Sequence, residues 1–224
     1  MIDIIKEKLG RYGATNALEE ENALKEILQE IALYALWRTD FFDCALFQGG
    51  TSLRILHGLP RFSEDLDFLL RVPNMDFDWS PYLEGMTEVF GQFGLTLEAQ
   101  PKPRMDTAIR QALLKDDSIA SQLDLSFAGT GHRKAIKIKL EIDVNPPAGS
   151  AEATTYLDFP ADYEVLHQYL ASNFALKIHS LLCRGFLKGR DWFDFSWYVS
   201  RGLEPNFVLL QNALVQAGPR AGDG

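Results

Sequence analysis

Two carboxylates in this chain have a spacing that could do chemistry. Asp65 and Asp67 stand two residues apart in Ser63-Glu64-Asp65-Leu66-Asp67-Phe68. On an extended strand, side chains at i and i+2 leave the same face about 7 Å apart, so both acids converge on one spot. Like charges held that close are costly unless a cation sits between them, and hard divalent ions such as Mg²⁺ or Mn²⁺ prefer oxygen ligands. A third acid, Glu141 or Asp143, would complete a group able to hold two ions and to clamp the attacking and leaving oxygens of a phosphoryl transfer. Upstream, Gly49-Gly50-Thr51-Ser52 falls where a strand should pass into a helix, a place where backbone N–H groups can face a phosphate. Each signal alone is weak. A Gly-Gly pair often only supplies unusual dihedrals, and an alternating acidic strand often has a solvated polar face.

The elements that must position these residues are readable from periodicity. Leu24, Ile27, Leu28, Ile31, Tyr34 and Ala35 predict one amphipathic helix over 17–38, with Glu19, Glu20, Glu26 and Glu30 mostly on its other side. Cys44–Phe47 reads as a short strand, Thr51–His57 as a helix that Gly58 closes, and Ser63–Leu70 as a second strand with its acids on one face. Arg71–Pro81 reads as loop, Tyr82–Phe93 as helix, and Leu95–Ala99 as extended chain before a turn at Pro101 and Pro103. The segment from there to Lys115 has no clear period. Leu123–Phe127 and Ala135–Val144 are rich in strand formers and flank Gly129-Thr130-Gly131, which predicts a hairpin. In the second of these, Ile136, Ile138, Leu140 and Ile142 share the face that should pack on helices, opposite Lys137, Lys139, Glu141 and Asp143. From Asp162 onward the pattern is mainly helical, with Leu170, Phe174, Ile178, Leu181 and Leu182 as an apolar stripe, and the tail from Ala217 should fray.

Composition bounds the classes. The chain has 224 residues, 46% hydrophobic and 24% charged, enough for one large domain with its own core. Its formal net charge of -9 repels polyanions, so contact with a nucleic acid needs a local basic patch or metal ions on clustered carboxylates. Apolar runs such as Ile31–Trp37 are too short to span a membrane, and Met1–Arg11 lacks the apolar stretch of a signal peptide. Two cysteines, Cys44 and Cys183, make no disulfide framework and no CxxC pair. The expected address is the cytoplasm.

Phe47-Gln48-Gly49-Gly50-Thr51-Ser52-Leu53-Arg54 followed by Arg61-Phe62-Ser63-Glu64-Asp65-Leu66-Asp67-Phe68 resembles the first motif of the AbiEii/AbiGii-type nucleotidyltransferase toxins, within the polymerase-β-like nucleotidyltransferase superfamily. The resemblance continues in Lys137–Glu141, in Lys177 within Phe174-Ala175-Leu176-Lys177-Ile178, and in Arg190-Asp191-Trp192-Phe193-Asp194, which is similar to the family's RDxxD motif. It implies an α+β fold: a nucleotidyltransferase-type mixed β-sheet flanked by helices over 1–160, followed by a mainly helical C-terminal portion over 161–224 that completes the site. It also implies roles. Gly49, Gly50 and Thr51 would hold nucleotide phosphates, with Ser63 hydrogen-bonding within that site; Asp65 and Asp67 would bind Mg²⁺, and Glu141, ahead of Asp143, would be the third acid. Lys177 would meet the triphosphate, and Asp191 would act as base or organiser opposite it.

The implied activity is Mg²⁺-dependent transfer of NMP from an NTP to an acceptor, with RNA such as the 3′ end of tRNA first among acceptors. The implied setting is a toxin with a cognate antitoxin protein, in a toxin–antitoxin or phage-defence pair. A kinase-like or protein-nucleotidylating use of the same fold, and a catalytically degenerate nucleotide-binding protein, are the alternatives. Competing bland readings also stand. A lone helical lysine such as Lys177 commonly snorkels to solvent, and Arg190 with Asp194 at i,i+4 suits a helix ion pair. His57, His132, His167 and His179 lack zinc-site spacing, and Asp76 and Asp78 read as surface acids. Arg133, Lys134, Lys137 and Lys139, with Arg184, Lys188 and Arg190, could be a path for RNA phosphates or ordinary solvated faces.

Overall fold

A computed structural model describes residues 2–103, 108–116, 119–123, 125, 135–186 and 188–218. Its helices and strands run in the order α1 (Ile2–Arg11), α2 (Ala17–Trp37), β1 (Ala45–Gln48), α3 (Gly49–His57), β2 (Asp65–Leu70), α4 (Ser80–Gln92), β3 (Glu98–Pro101) and β4 (Ile109–Asp116). There follow the short α5 (Ile119–Gln122), β5 (Ile136–Asp143), β6 (Glu152–Leu157), β7 (Tyr163–Gln168), α6 (Leu170–Cys183), α7 (Gly189–Ser200) and α8 (Phe207–Gln216). The strands form one mixed sheet of order β3-β4-β5-β2-β1-β7-β6. This is the α+β architecture expected.

The main core lies between one face of that sheet and the helices α1, α2 and α4. Ile136, Ile138, Leu140 and Ile142 of β5 are buried there, so the face assigned from alternation is the face that packs. Phe41 sets its ring edge-on to Phe68 of β2 at 4.9 Å and stacks on Trp79 at 5.4 Å, which ties the start of α4 to the sheet. A second cluster of Leu53, Leu59, Phe174, Trp197 and Tyr198 joins α3 to α6 and α7 on the other side. That cluster brings the C-terminal helices against the chemistry-bearing end of β1 and β2.

Several sequence expectations need correction. α2 is not half-solvated: Glu26 and Glu30 are buried. Glu26 accepts hydrogen bonds from Tyr12 Oη and Arg54 Nε, and Glu30 from Lys8, because α1 and α3 close over that side of the helix. The segment after Pro103 contains a full strand, β4, buried on alternate residues. β5 pairs antiparallel with β4 on one side and parallel with β2 on the other, so neither of its edges is left for the expected hairpin; of the segment 123–127, positions 124, 126 and 127 lie outside the described residues, and Leu123 follows α5 directly. The proposed turn Gly129-Thr130-Gly131, with His132, Arg133 and Lys134, lies outside the described residues, as does the tail beyond 218. The chain after Asp162 begins with a strand, β7, which pairs with β6 and runs parallel to β1. Both cysteines are free thiols, Cys44 half-buried and Cys183 exposed. Among the described residues, no helix is long and apolar enough to cross a membrane.

Candidate active site

The cleft that collects the chemistry opens where β1 ends. Gln48 closes β1 in extended conformation, and Gly49 turns the chain at φ 77 straight into the first residue of α3. The two glycines thus form the first turn of the helix itself. A side chain at Gly49 would be strained at that φ, and its Cβ would lie 2.7 Å from Asp67 Oδ2. A Cβ on Gly50 would lie 2.6 Å from a terminal guanidinium nitrogen of Arg61 and 3.1 Å from Ser63 Oγ. Both glycines are therefore required by close approach, whatever else the turn binds. At the other end of α3, Gly58 in the left-handed region donates its N–H to Leu53 and ends the helix as its sequence predicts.

β2 and β5 run parallel in a register that sets Asp65 beside Lys139 and Asp67 beside Glu141. Paired residues of neighbouring strands face the same side. Asp65, Asp67, Glu141 and Asp143 all line the one cleft with Gly49, Gly50 and Ser63. Burial, and then the charges of Glu141 and Asp65, push the Asp67 carboxyl up to about 7. Burial also raises Asp65, against the pull of Lys139, and raises Asp143, against a hydrogen bond from the Asn145 N–H. Glu141 accepts contacts from Lys139 Nζ at 2.6 Å and from the Gln111 side chain. Among the described residues no three His, Cys, Asp or Glu side chains already surround a metal position. The donor set nevertheless suits a hard cation: the acids are oxygen ligands, they repel one another, and Asp67 and Glu141 share a rung.

The opposite wall is α6, whose Asn173, Lys177 and Ser180 line the cleft in succession, with Arg184 just past its end. Asn173 is buried, accepts the Gly49 N–H at 3.3 Å and donates to Ser52 Oγ at 3.0 Å, so it locks α6 to the glycine turn. Lys177 Nζ lies 3.2 Å from Asp191 and 3.0 Å from Asp194. Burial would raise the Asp191 carboxyl, but the Lys177 charge and hydrogen bond, the Lys188 N–H and Arg184 outweigh it and hold it below the usual carboxylate range. Asp191 also accepts the Lys188 N–H at the first turn of α7, as a capping acid does. Lys177 does not snorkel away; it is held between two acids.

Two positions depart from the expectation. Thr51 is fully buried and gives its hydroxyl to the Asp65 carbonyl, so it anchors the start of β2 and does not face the cleft. Asp194 is not the helix partner of Arg190. Its carboxylate is fully buried and takes both Arg61 Nε and a terminal Arg61 nitrogen at 2.7 Å, in the two-pronged geometry that suits guanidinium and carboxylate. Arg61, Asp194 and Asn173 are the site residues that reasoning from spacing missed. Arg61 and Asp194 both lie inside family-like motifs, but a sequence separation of 133 conceals their contact. Asn173 carried no sequence signal.

The chain matches the family described as "Nucleotidyl transferase AbiEii toxin, Type IV TA system" over residues 31–223. Among solved structures it is similar to JHP933 from Helicobacter pylori, with 19% identity, a TM-score of 0.55, and coverage of 81% of this chain and 67% of that one. It is also similar to a putative nucleotidyltransferase from H. pylori, with 19% identity, a TM-score of 0.53, and coverage of 84% and 69%. At that identity the likeness is one of fold. No curated protein matches the chain.

Proposed function

Given that this chain belongs to the AbiEii nucleotidyl transferase toxin family, we propose that it transfers a nucleoside monophosphate from an NTP to the hydroxyl of an RNA acceptor, with Mg²⁺ or Mn²⁺ held by Asp65, Asp67 and Glu141. The observation that carries this reading is the convergence in one cleft of a glycine turn at a helix start, three adjoining acids and a half-buried lysine. A bound divalent ion would supply charge neutralisation at the oxygens of the transferred phosphoryl group.

The protein's own residues divide the rest of the work. Gly50, in the first turn of α3 and in the lining of the cleft, would offer its backbone N–H to a phosphate oxygen, as the start of a helix does. Lys177 supplies a positive charge for the triphosphate, and Asp191 and Asp194 hold its ammonium in place. Asp191 is thereby an organiser rather than a free base. In the transfer, the acceptor oxygen bonds to the α-phosphorus, the bond to the bridging oxygen breaks and pyrophosphate leaves. The hydroxyl proton passes to a carboxylate of the acid cluster. Glu141, on the rung of Asp67, is better placed than Asp143 as the third acid.

The family's description supports a toxin role regulated by a separate antitoxin. The deciding experiment incubates the purified protein with each α-labelled NTP, Mg²⁺ and total RNA, beside an Asp65→Asn control. Label on RNA with the parent protein alone supports the reading and names the base. Label on a protein instead moves the acceptor to a protein side chain, and NTP binding without turnover marks a degenerate enzyme.

A further inference from the structure

A second trough adjoins the active-site cleft and shares Asp65 with it. It is lined by Lys25 of α2, Lys115 of β4, and Lys137 and Lys139 of β5, together with Leu113 and the acids Glu21 and Glu64. In a chain of net charge -9, a lining in which lysines outnumber acids is a local relief of the negative field. We propose that this lysine trough carries the sugar-phosphate backbone of the single-stranded acceptor and delivers its terminal hydroxyl to the acids. The inference rests on the RNA reading of the acceptor given above.

The sheet register is the first argument. Lys115 and Lys137 are direct cross-strand partners, the next rung on that face pairs Leu113, Lys139 and Asp65, and the one after pairs Gln111, Glu141 and Asp67. Successive rungs on one face are about 7 Å apart. The open face of the sheet therefore grades from a row of lysines to a row of acids within three rungs. Like charges directly opposite each other destabilise a strand pair, and an anion lying over Lys115 and Lys137 would remove that cost.

Two lysines are already committed: Lys25 holds the buried Glu21 at 3.1 Å and Lys139 holds Glu141 at 2.6 Å. The pair of Lys115 with Glu98 at 2.9 Å can be exchanged, because Glu98 is more than half exposed and water screens it. Lys137 is exposed. No aromatic side chain lines the trough among the described residues, so bases have no stacking platform. Contact would be with phosphates, and therefore strongly dependent on salt and indifferent to sequence.

The test uses the full-length protein and a labelled single-stranded oligoribonucleotide, with binding read by fluorescence anisotropy across a salt series. Lys115→Gln with Lys137→Gln removes two charges on solvent-facing positions. At about 0.7 log unit of slope per phosphate contact, the salt dependence should flatten by about 1.4, and affinity at 0.1 M salt should fall on the order of 25-fold. The KM for NTP should stay unchanged while that for RNA rises. Unchanged RNA affinity and slope in the double variant, with the parent binding RNA, would overturn the trough and leave the RNA reading intact. A parent that binds no RNA and labels only protein would overturn both. A double variant that loses a polyglutamate peptide but keeps RNA would reassign the trough to an acidic protein partner.

Discussion

Arg61 and Asp194 meet through two parallel contacts of 2.7 Å across 133 positions of sequence, and the same carboxylate also holds Lys177 at 3.0 Å. Asp194 is fully buried, so the pair is both a clasp between the chain entering β2 and helix α7 and the mount for the lysine of the cleft. Removing one partner of such a pair strands a charge away from water, which costs about 3 kcal/mol or more. Arg61→Ala should lower the urea midpoint by a corresponding amount and raise the KM for NTP, because Asp194, one of the two acids that hold Lys177, loses the guanidinium that fixes it. Arg61→Lys should restore little, since an ammonium cannot make the two-pronged contact. A midpoint within error of the parent for both variants would refute the clasp.

The glycine turn gives a coupled prediction. Gly50→Ala would drive a methyl group to 2.6 Å from the Arg61 guanidinium. The substitution should destabilise the parent by about 1–3 kcal/mol as an overpacked contact, and by much less in the Arg61→Ala background. A double-mutant cycle in urea measures the difference. Additive effects would mean that the two residues do not touch.

For the acid cluster, stability and activity should move in opposite directions. Asp67 is raised to about 7 by burial and by its acidic neighbours, so Asp67→Asn removes repulsion while keeping shape. The variant should melt at or above the temperature of the parent and show no nucleotidyl transfer. Added Mg²⁺ or Mn²⁺ should raise the melting temperature of the parent and leave that of the variant unmoved, because only binding to the folded state stabilises it. Full activity in Asp67→Asn would remove the acids from the mechanism.

Stability should also depend on pH through a histidine pair remote from the cleft. His57 and His167 pack ring to ring at 5.5 Å. Burial, then the neighbouring His167 and Arg201, push His57 from 6.5 down to about 4, and burial lowers His167 as well. A folded pKa below the unfolded one means that the unfolded chain takes up the proton first. The stability is therefore complete above about pH 6.5 and is lost as pH falls toward 4. Urea midpoints measured from pH 7 to 4.5 should fall, and His57→Gln should flatten the decline. Parallel declines would place the source elsewhere.

Much of the frame was legible because short-range physics wrote it. The alternation in Ile136–Asp143 gave the buried face of β5, Gly58 gave the end of α3, and the DxD spacing gave two acids on one side of β2. Glu26 and Glu30 misled because a polar residue on a helix looks solvated until another element covers it with a partner. β4 and β7 were passed over for a related reason: their partners are supplied by β5 and β1, distant in sequence.

What the sequence offered by itself was the inventory of a candidate site: the glycine turn, Asp65, Asp67, Glu141 or Asp143, Lys177 and Asp191, each carried by local spacing or by a family motif. What only the tertiary structure decided was who faces whom. The β2–β5 register put Glu141 rather than Asp143 on the rung of Asp67, packing turned the Thr51 hydroxyl inward to the Asp65 carbonyl, and the fold of α7 against the β2 entry gave Asp194 to Arg61. The reason is physical: periodicity fixes the direction of a side chain relative to its own element, whereas a partner is chosen only when separate elements are brought together and buried charges must be paired.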